Sequence, residues 1–201
     1  MDELKIHWEN IYNSKTDNEV SWFQEHPETS LNLIKKYGES QQSIIDIGGG
    51  NSKLTYQLVQ NGFDNITLLD ISKRALERNL ERLPNANINV IEKNILDLKL
   101  NEQVHIWHDR AVFHFLTKKV NIKKYAEVVT DSVESGGNLI LATFSELGPD
   151  KCSGLPITQY SEEKFVELFE PTFKLLECFN EIHKTPFNSE QNFIWVVFKK
   201  M

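Results

Sequence analysis

The sequence predicts an α/β fold: one mainly parallel sheet of seven strands, helices on both of its faces, and an antiparallel hairpin at its C-terminal end. Three observations carry this. Short apolar, β-branched runs alternate with helical patterns between Ser43 and Phe169. Glycine, asparagine or proline punctuates the joins, as at Gly62, Pro84 and Gly136-Gly137. The alternation then stops, and two strand-like segments follow with no helix between them.

Each element has its own signal. Residues 1–40 read as helical and aromatic, with Trp8, Tyr12, Trp22, Phe23 and Tyr37; Pro27 opens a helix through Leu31, Leu33 and Ile34, and Gly38 ends it. Ser43-Ile44-Ile45-Asp46-Ile47 is a buried first strand, broken by three glycines before a helix carrying Leu54, Leu58 and Val59. Ile66 to Asp70 is the second strand, and Ser72 is a suitable N-cap for a helix from Lys73 to Arg82. Ile88 to Ile91 and Val104 to Trp107 are the third and fourth strands. Helices are expected through Phe113 to Leu116 and from Lys123 to Val133, and a fifth strand from Asn138 to Phe144. A loop rich in Gly and Pro leads to a helix from Glu162 to Phe169. Phe173 to His183 and Asn192 to Lys199 then pair as the hairpin.

Bulk composition narrows the function classes. The 201 residues are 40% hydrophobic and 25% charged, which is ordinary for one globular domain. No run is apolar enough to span a bilayer, and Met1-Asp2-Glu3-Leu4-Lys5 lacks the apolar core of a signal peptide, so a cytoplasmic location is expected. Two cysteines, Cys152 and Cys178, make neither a disulfide framework nor a metal knuckle, and no metal site is expected. A net charge of −7 argues against a partner gripped through phosphates, so nucleic acid is not the expected partner. Lys118-Lys119 and Lys123-Lys124 read as the solvated face of a helix.

The turn after the first strand carries the chemistry. Gly48-Gly49-Gly50 lets a ligand approach the backbone closely, and the helix that follows begins with unpaired N–H groups. In open parallel sheets, ligands dock at this end of the strands. A dinucleotide fingerprint would need a third glycine where Lys53 stands, and a phosphate loop would need Gly-Lys-Ser/Thr. Asp70 closes the second strand twenty residues past the glycines, where a carboxylate can accept both ribose hydroxyls. The ligand is therefore read as a nucleoside without a pyrophosphate.

At this point the chain resembles the class I S-adenosylmethionine-dependent methyltransferases, whose fold is Rossmann-like. Asp46-Ile47-Gly48-Gly49-Gly50-Asn51-Ser52 is similar to the family's first motif, Asp-x-Gly-x-Gly-x-Gly/Ser. Asp70 matches the acid at the end of its second strand, Ile71 the apolar residue against adenine, and the hairpin its last two strands. The resemblance covers residues 40–201 and implies S-adenosylmethionine as cofactor, with S-adenosylhomocysteine as product. It departs from the pattern after the third strand, where Asn94 stands in place of the usual Asp; Asn94, with Ile95 beside it, or else Asp97, is expected against the adenine amino group.

The resemblance also implies where transfer occurs. The end of the fourth strand, Trp107-His108-Asp109-Arg110, would lie beside the reactive methyl, with Asp109 nearest and His108 or His114 as a base. His114 alternatively sits on an apolar helix face as a core residue. Arg110 either holds a substrate carboxylate or pairs with a neighbouring acid. The loop from Gly148 to Pro156 would border the acceptor, with Cys152 as contact or bystander. Trp8 and Tyr12 share a helix face; with Trp22 they resemble the aromatic lid of small-molecule methyltransferases, or they simply dock the helices. Asp46, Gly48, Gly49, Gly50, Asn51, Ser52, Asp70, Ile71 and Ser72 complete the expected cofactor site. The chain is thus expected to be one domain, residues 1–40 forming a lid and 41–201 a cofactor-binding core, that methylates a small molecule. Protein methylation is the alternative, and a nicotinamide oxidoreductase or a non-catalytic nucleotide-binding module is the second alternative.

Overall fold

The computed structural model describes residues 3–201; Met1 and Asp2 of the expected N-terminal segment lie outside the described residues. Seven strands form one sheet: β1 (Ile44–Ile47), β2 (Ile66–Asp70), β3 (Ile88–Glu92), β4 (Val104–Arg110), β5 (Val133–Phe144), β6 (Phe173–Lys184) and β7 (Glu190–Lys200). Their spatial order is β3-β2-β1-β4-β5-β7-β6. The first five are parallel to their neighbours, whereas β7 runs antiparallel between β5 and β6. The chain leaves β1 toward β2 and β3, then returns to lay β4 on its other side, so the switch point falls between β1 and β4.

Two apolar cores cover the two faces, because neighbouring residues of a strand point to opposite sides. Ile45, Ile47, Trp107, Leu139 and Leu141 pack with α5 (Lys119–Ser132) and α6 (Glu162–Phe169) through Tyr125, Val129, Phe165 and Phe169. Ile44, Ile106, Ile140 and Trp195 pack with α2 (Glu28–Tyr37) and α3 (Leu54–Gln60) through Leu33, Ile34, Leu54 and Leu58. Each such aliphatic side chain contributes about 1.5–3 kcal/mol by leaving water. The helix α1 (Glu3–Ser14) lies against α4 (Lys73–Glu81).

Three local expectations change. The segment Phe113–Phe115 is a single 3-10 turn, not a helix. The fifth strand begins at Val133 and runs through both glycines: Gly136 has φ +82° at an irregularity in the β4–β5 ladder, and a Cβ on Gly137 would stand 2.7 Å from the His105 carbonyl. The Gly/Pro-rich loop contains a two-stranded ribbon, Lys151–Cys152 against Leu155–Pro156, with Ser153 and Gly154 both at positive φ in its turn. No helix among the described residues is long and apolar enough to cross a membrane. No group of three His, Cys, Asp or Glu side chains among them could hold a metal ion.

Candidate active site

At the C-terminal ends of β1, β2 and β4 the structure has two chambers sharing Tyr12, Trp22, Gly48 and Arg110. The wider, about 290 Å³, runs past Asp70, Ile71, Asn94 and Ile95 to Phe115 and Cys152. The narrower lies between the glycine turn and residues 20–30 and is lined by Asp46, Gly49, Asn51, Ser52 and His108.

The glycine turn has its shape for stated reasons. Gly48 sits at φ +68°, where a Cβ would also collide with Val112. A Cβ on Gly50 would lie 2.7 Å from Asp70 Oδ2, the atom to which the Gly50 N–H donates at 3.1 Å. Gly50 thus faces Asp70 rather than the chambers. Ser52 Oγ accepts from Leu54 N at 3.0 Å and opens α3. Asn79 on α4 was missed in the sequence: its side chain donates to the Gly49 and Ser52 carbonyls, both at 3.0 Å, and so clamps the turn. A buried polar residue at one turn's spacing from Ala75 and Leu76 was the available signal.

Asp70 is held by Ser72 N at 2.9 Å and Gly50 N at 3.1 Å, yet burial raises its pKa to about 6. Both oxygens keep a lone pair for a further donor. Ile71, Asn94 and Ile95 line the same chamber, whereas Asp97 is exposed and outside it. Asn94 Oδ1 also accepts from Leu96 N, capping the short turn that presents Ile95. Ala111, a non-glycine residue at φ +71°, follows Arg110 on the wall and is one of the few strained backbones in the chain.

Several expected roles do not survive the geometry. Asp109 accepts from Tyr125 Oη at 2.6 Å, Val112 N at 3.0 Å and Phe113 N at 3.3 Å, so it fastens the turn after β4 to α5 and lines neither chamber. Burial raises its pKa to about 6. His108 reaches the narrow chamber, but Nδ1 pairs with Asp46 Oδ1 at 2.7 Å and Nε2 with Ser30 Oγ at 3.0 Å. Neither nitrogen is left to take a proton from an acceptor. His114 is fully buried between the Phe115 and Phe144 rings, outside both chambers, and burial lowers its pKa to about 3. It is the core residue of the two readings. Ser72 caps α4 by accepting from Ala75 N at 3.1 Å and is sealed from both chambers.

The N-terminal segment crosses the open side. Trp8 lies 5.1 Å from the Phe115 ring and 5.6 Å from Trp22, and Tyr12 is 6.3 Å from Trp22. Polar contacts surround these rings: Lys5 with Glu92, Asp17 with Arg82, Lys53 with Glu25, and the Arg78 side chain with the Lys15 carbonyl. Glu9 accepts from Lys73 N at 2.6 Å and Arg74 N at 3.4 Å, the two N–H groups of α4 that Ser72 leaves open. Of the ring residues the sequence had marked, Trp8, Tyr12 and Trp22 all line the wider chamber.

A sheet ordered β3-β2-β1-β4-β5-β7-β6, a glycine turn after β1 and an acid ending β2 define a class I S-adenosylmethionine-dependent methyltransferase. The chain belongs to the methyltransferase-domain family, whose sequence pattern its residues 39–190 match, and S-adenosylmethionine is its cofactor. It is 24% identical over 160 residues to EEF1A lysine methyltransferase 2 of Danio rerio, an alignment covering 77% of this chain and 65% of that protein, so it spans under two thirds of that relative's length. In structure it is similar to a SAM-dependent methyltransferase from Anabaena variabilis, with a TM-score of 0.78, 18% identity and coverage of 100% of this chain and 96% of that one. It is also similar to 1,6-didemethyltoxoflavin-N1-methyltransferase of Burkholderia thailandensis, with a TM-score of 0.80, 12% identity and coverage of 98% and 87%.

Proposed function

We propose that this methyltransferase acts on a small molecule, inside a cavity that residues 1–40 close as a lid over a single core of residues 41–201. The observation that carries the reading is the aromatic roof: Trp8 and Trp22 pack edge-on with each other, and Trp8 with Phe115, across the side from which an acceptor would come. A side chain on a folded protein needs a wide approach, and a roof of three packed rings narrows it.

The walls of the two chambers support an assignment of the cofactor residues. Asp70 would accept the ribose hydroxyls, Ile71 and Ile95 would pack on adenine with Asn94 at its edge, and Gly48, Gly49, Asn51, Ser52 and Asp46 would surround the amino-acid end. The donor set supports this: ionised Asp70 is acceptor-only, and beyond the Gly50 and Ser72 N–H groups its two oxygens keep lone pairs for a ligand's hydroxyls. When bound, the cofactor supplies a methyl group on a sulfonium, open to in-line displacement. The chain's part is to hold both reactants in line and keep water out, through the glycine turn on one side and the aromatic roof on the other. None of Asp109, His108 and His114 offers a free base to the chambers, which suits an acceptor that attacks without first losing a proton; the carboxylate atom left without a partner there is Asp46 Oδ2, on the narrow chamber.

Protein lysine methylation is the second reading, favoured by the resemblance to the Danio rerio lysine methyltransferase. Incubation with methyl-labelled cofactor and a whole-cell extract, split by dialysis into small molecules and macromolecules, separates the two. Label in the dialysable fraction is expected. Label retained on protein alone would replace the first reading with the second.

A further inference from the structure

Arg110, the last residue of β4, is the one cation lining both chambers that has no counter-ion, and its surroundings show what it lacks. Its Nη1 donates to the Trp22 carbonyl at 3.0 Å, and its guanidinium carbon lies 4.7 Å over the Phe193 ring. Nε and Nη2 are sealed from solvent and have no hydrogen-bond partner. No carboxylate among the described residues pairs with it. The nearest candidate, Glu181, is spent on Trp195 Nε1 at 2.7 Å and on the Thr29 hydroxyl. His114, buried behind the wall and close enough to feel the charge of Arg110, brings it no partner, and both of its own ring nitrogens are unpartnered. An unpaired guanidinium in such a place is costly, and the cost is met when a ligand brings the opposite charge.

The two free nitrogens also have a defined shape. Nε–H and Nη2–H lie parallel on one edge of the planar guanidinium, the edge that grips a carboxylate at two points. We propose that Arg110 is a carboxylate receptor, taking through this edge the carboxylate of a molecule bound in the methyl-transfer cavity. The Nη1 bond to the Trp22 carbonyl uses the other edge of the guanidinium, so it fixes the orientation of the side chain and leaves the Nε/Nη2 edge unused. Two molecules can bring the carboxylate: the cofactor, through its amino-acid end, or an acidic acceptor. The second source rests on the small-molecule reading above; the first does not.

The test uses the full chain and its Arg110→Gln and Arg110→Lys variants, each first checked for a cooperative melt. Calorimetry measures S-adenosylhomocysteine, then 5′-methylthioadenosine, which lacks the amino-acid end. It then measures acetate, succinate and benzoate against chain saturated with S-adenosylhomocysteine. If the cofactor is the source, Arg110→Gln weakens S-adenosylhomocysteine by about tenfold or more and leaves 5′-methylthioadenosine unchanged. If the acceptor is the source, both nucleosides bind the variant as they bind wild type, and a carboxylate binds loaded wild type but not loaded Arg110→Gln. Arg110→Lys keeps the charge without the two-point edge and is expected to fall between. Should Arg110→Gln fail to fold, Arg110→Lys carries the comparison. Equal binding of every probe by wild type and the folded variant overturns the proposal. Label found only on protein, with the cofactor result intact, would sink the small-molecule reading and leave the cofactor source standing.

Discussion

Asp70 shows how one residue couples the fold to ligand binding. Sealed at the end of β2, its carboxyl titrates near 6 instead of the ordinary 3.8, because burial outweighs the two N–H groups that favour its charge. Ribose hydroxyls donating to the charged form would lower that pKa, so binding releases a proton. Affinity for S-adenosylhomocysteine should therefore be flat above pH 7 and fall as pH drops through about 6. Asp70→Asn should lose about tenfold or more in affinity and lose the pH dependence with it, as read by calorimetry. An unchanged slope in the variant would remove Asp70 from the ribose. His114 is shifted in the opposite direction. Its pKa falls from 6.5 unfolded to about 3 folded, so its contribution to stability is present above pH 6.5 and is lost as pH falls below it. The gap between His114→Phe and wild type should widen in favour of the variant by up to about 1.4 kcal/mol per pH unit below 6.5, measured as denaturant midpoints. Since the ring lines neither chamber, methyl transfer by His114→Phe should stay within a few-fold of wild type; a hundredfold loss in the folded variant would restore it as a base.

Between elements, one contact that couples lid to core is Glu9 on α1 against the first turn of α4. Ser72 satisfies the third N–H of that helix, and Glu9 reaches across to the first two. One helix end is thus capped half from within and half by the lid. Glu9→Ala should cost about 1 kcal/mol of lid docking, close to a fivefold faster release of S-adenosylhomocysteine in stopped flow. The ion pairs around the roof, such as Lys53 with Glu25, are exposed and weaken with salt, so wild-type release should also quicken between 0.05 and 1 M salt, by about two- to threefold. A release rate indifferent to both changes would mean that the rings alone hold the roof. None of these contacts was legible in the sequence. Trp8 and Tyr12 declared themselves by one-turn spacing, but a glutamate on a polar face has no periodic signal, and its partner lies 64 positions away in the chain. The same limit explains the β4 end. The family resemblance put His108, Asp109 and Arg110 at the end of the fourth strand, where they are, but alternation along a strand sends Asp109 to the α5 face, and the turn after it needs its cap. Asp109 is turned away from the chambers, and His108 faces one with both ring nitrogens already engaged.

At the scale of the molecule, what was legible and what was not divide along the same line. The sheet follows from periodicity and from the missing last helix, and the glycine turn with Asp70 follows from local residue types that need particular backbone shapes. The division of labour between core and N-terminal segment follows from neither, and the packing supplies it. The buried members of both apolar clusters begin at Leu33; before that, Tyr12, Val20 and Trp22 face the chambers and contribute little to either core. The first 23 residues should therefore be dispensable for folding and necessary for retention of the cofactor. A chain beginning at Gln24 is expected to melt cooperatively, with a lower midpoint, and to bind S-adenosylhomocysteine at least about tenfold more weakly, because the roof rings leave with the segment. The same truncation bears on the acceptor. A small molecule held under a roof loses its site along with the roof, so dialysable label should vanish even at saturating cofactor. A protein substrate would meet a wider groove, and its methylation would persist or rise. Persistent labelling of protein by the truncated chain would therefore turn the roof from half of the active site into an obstacle to it.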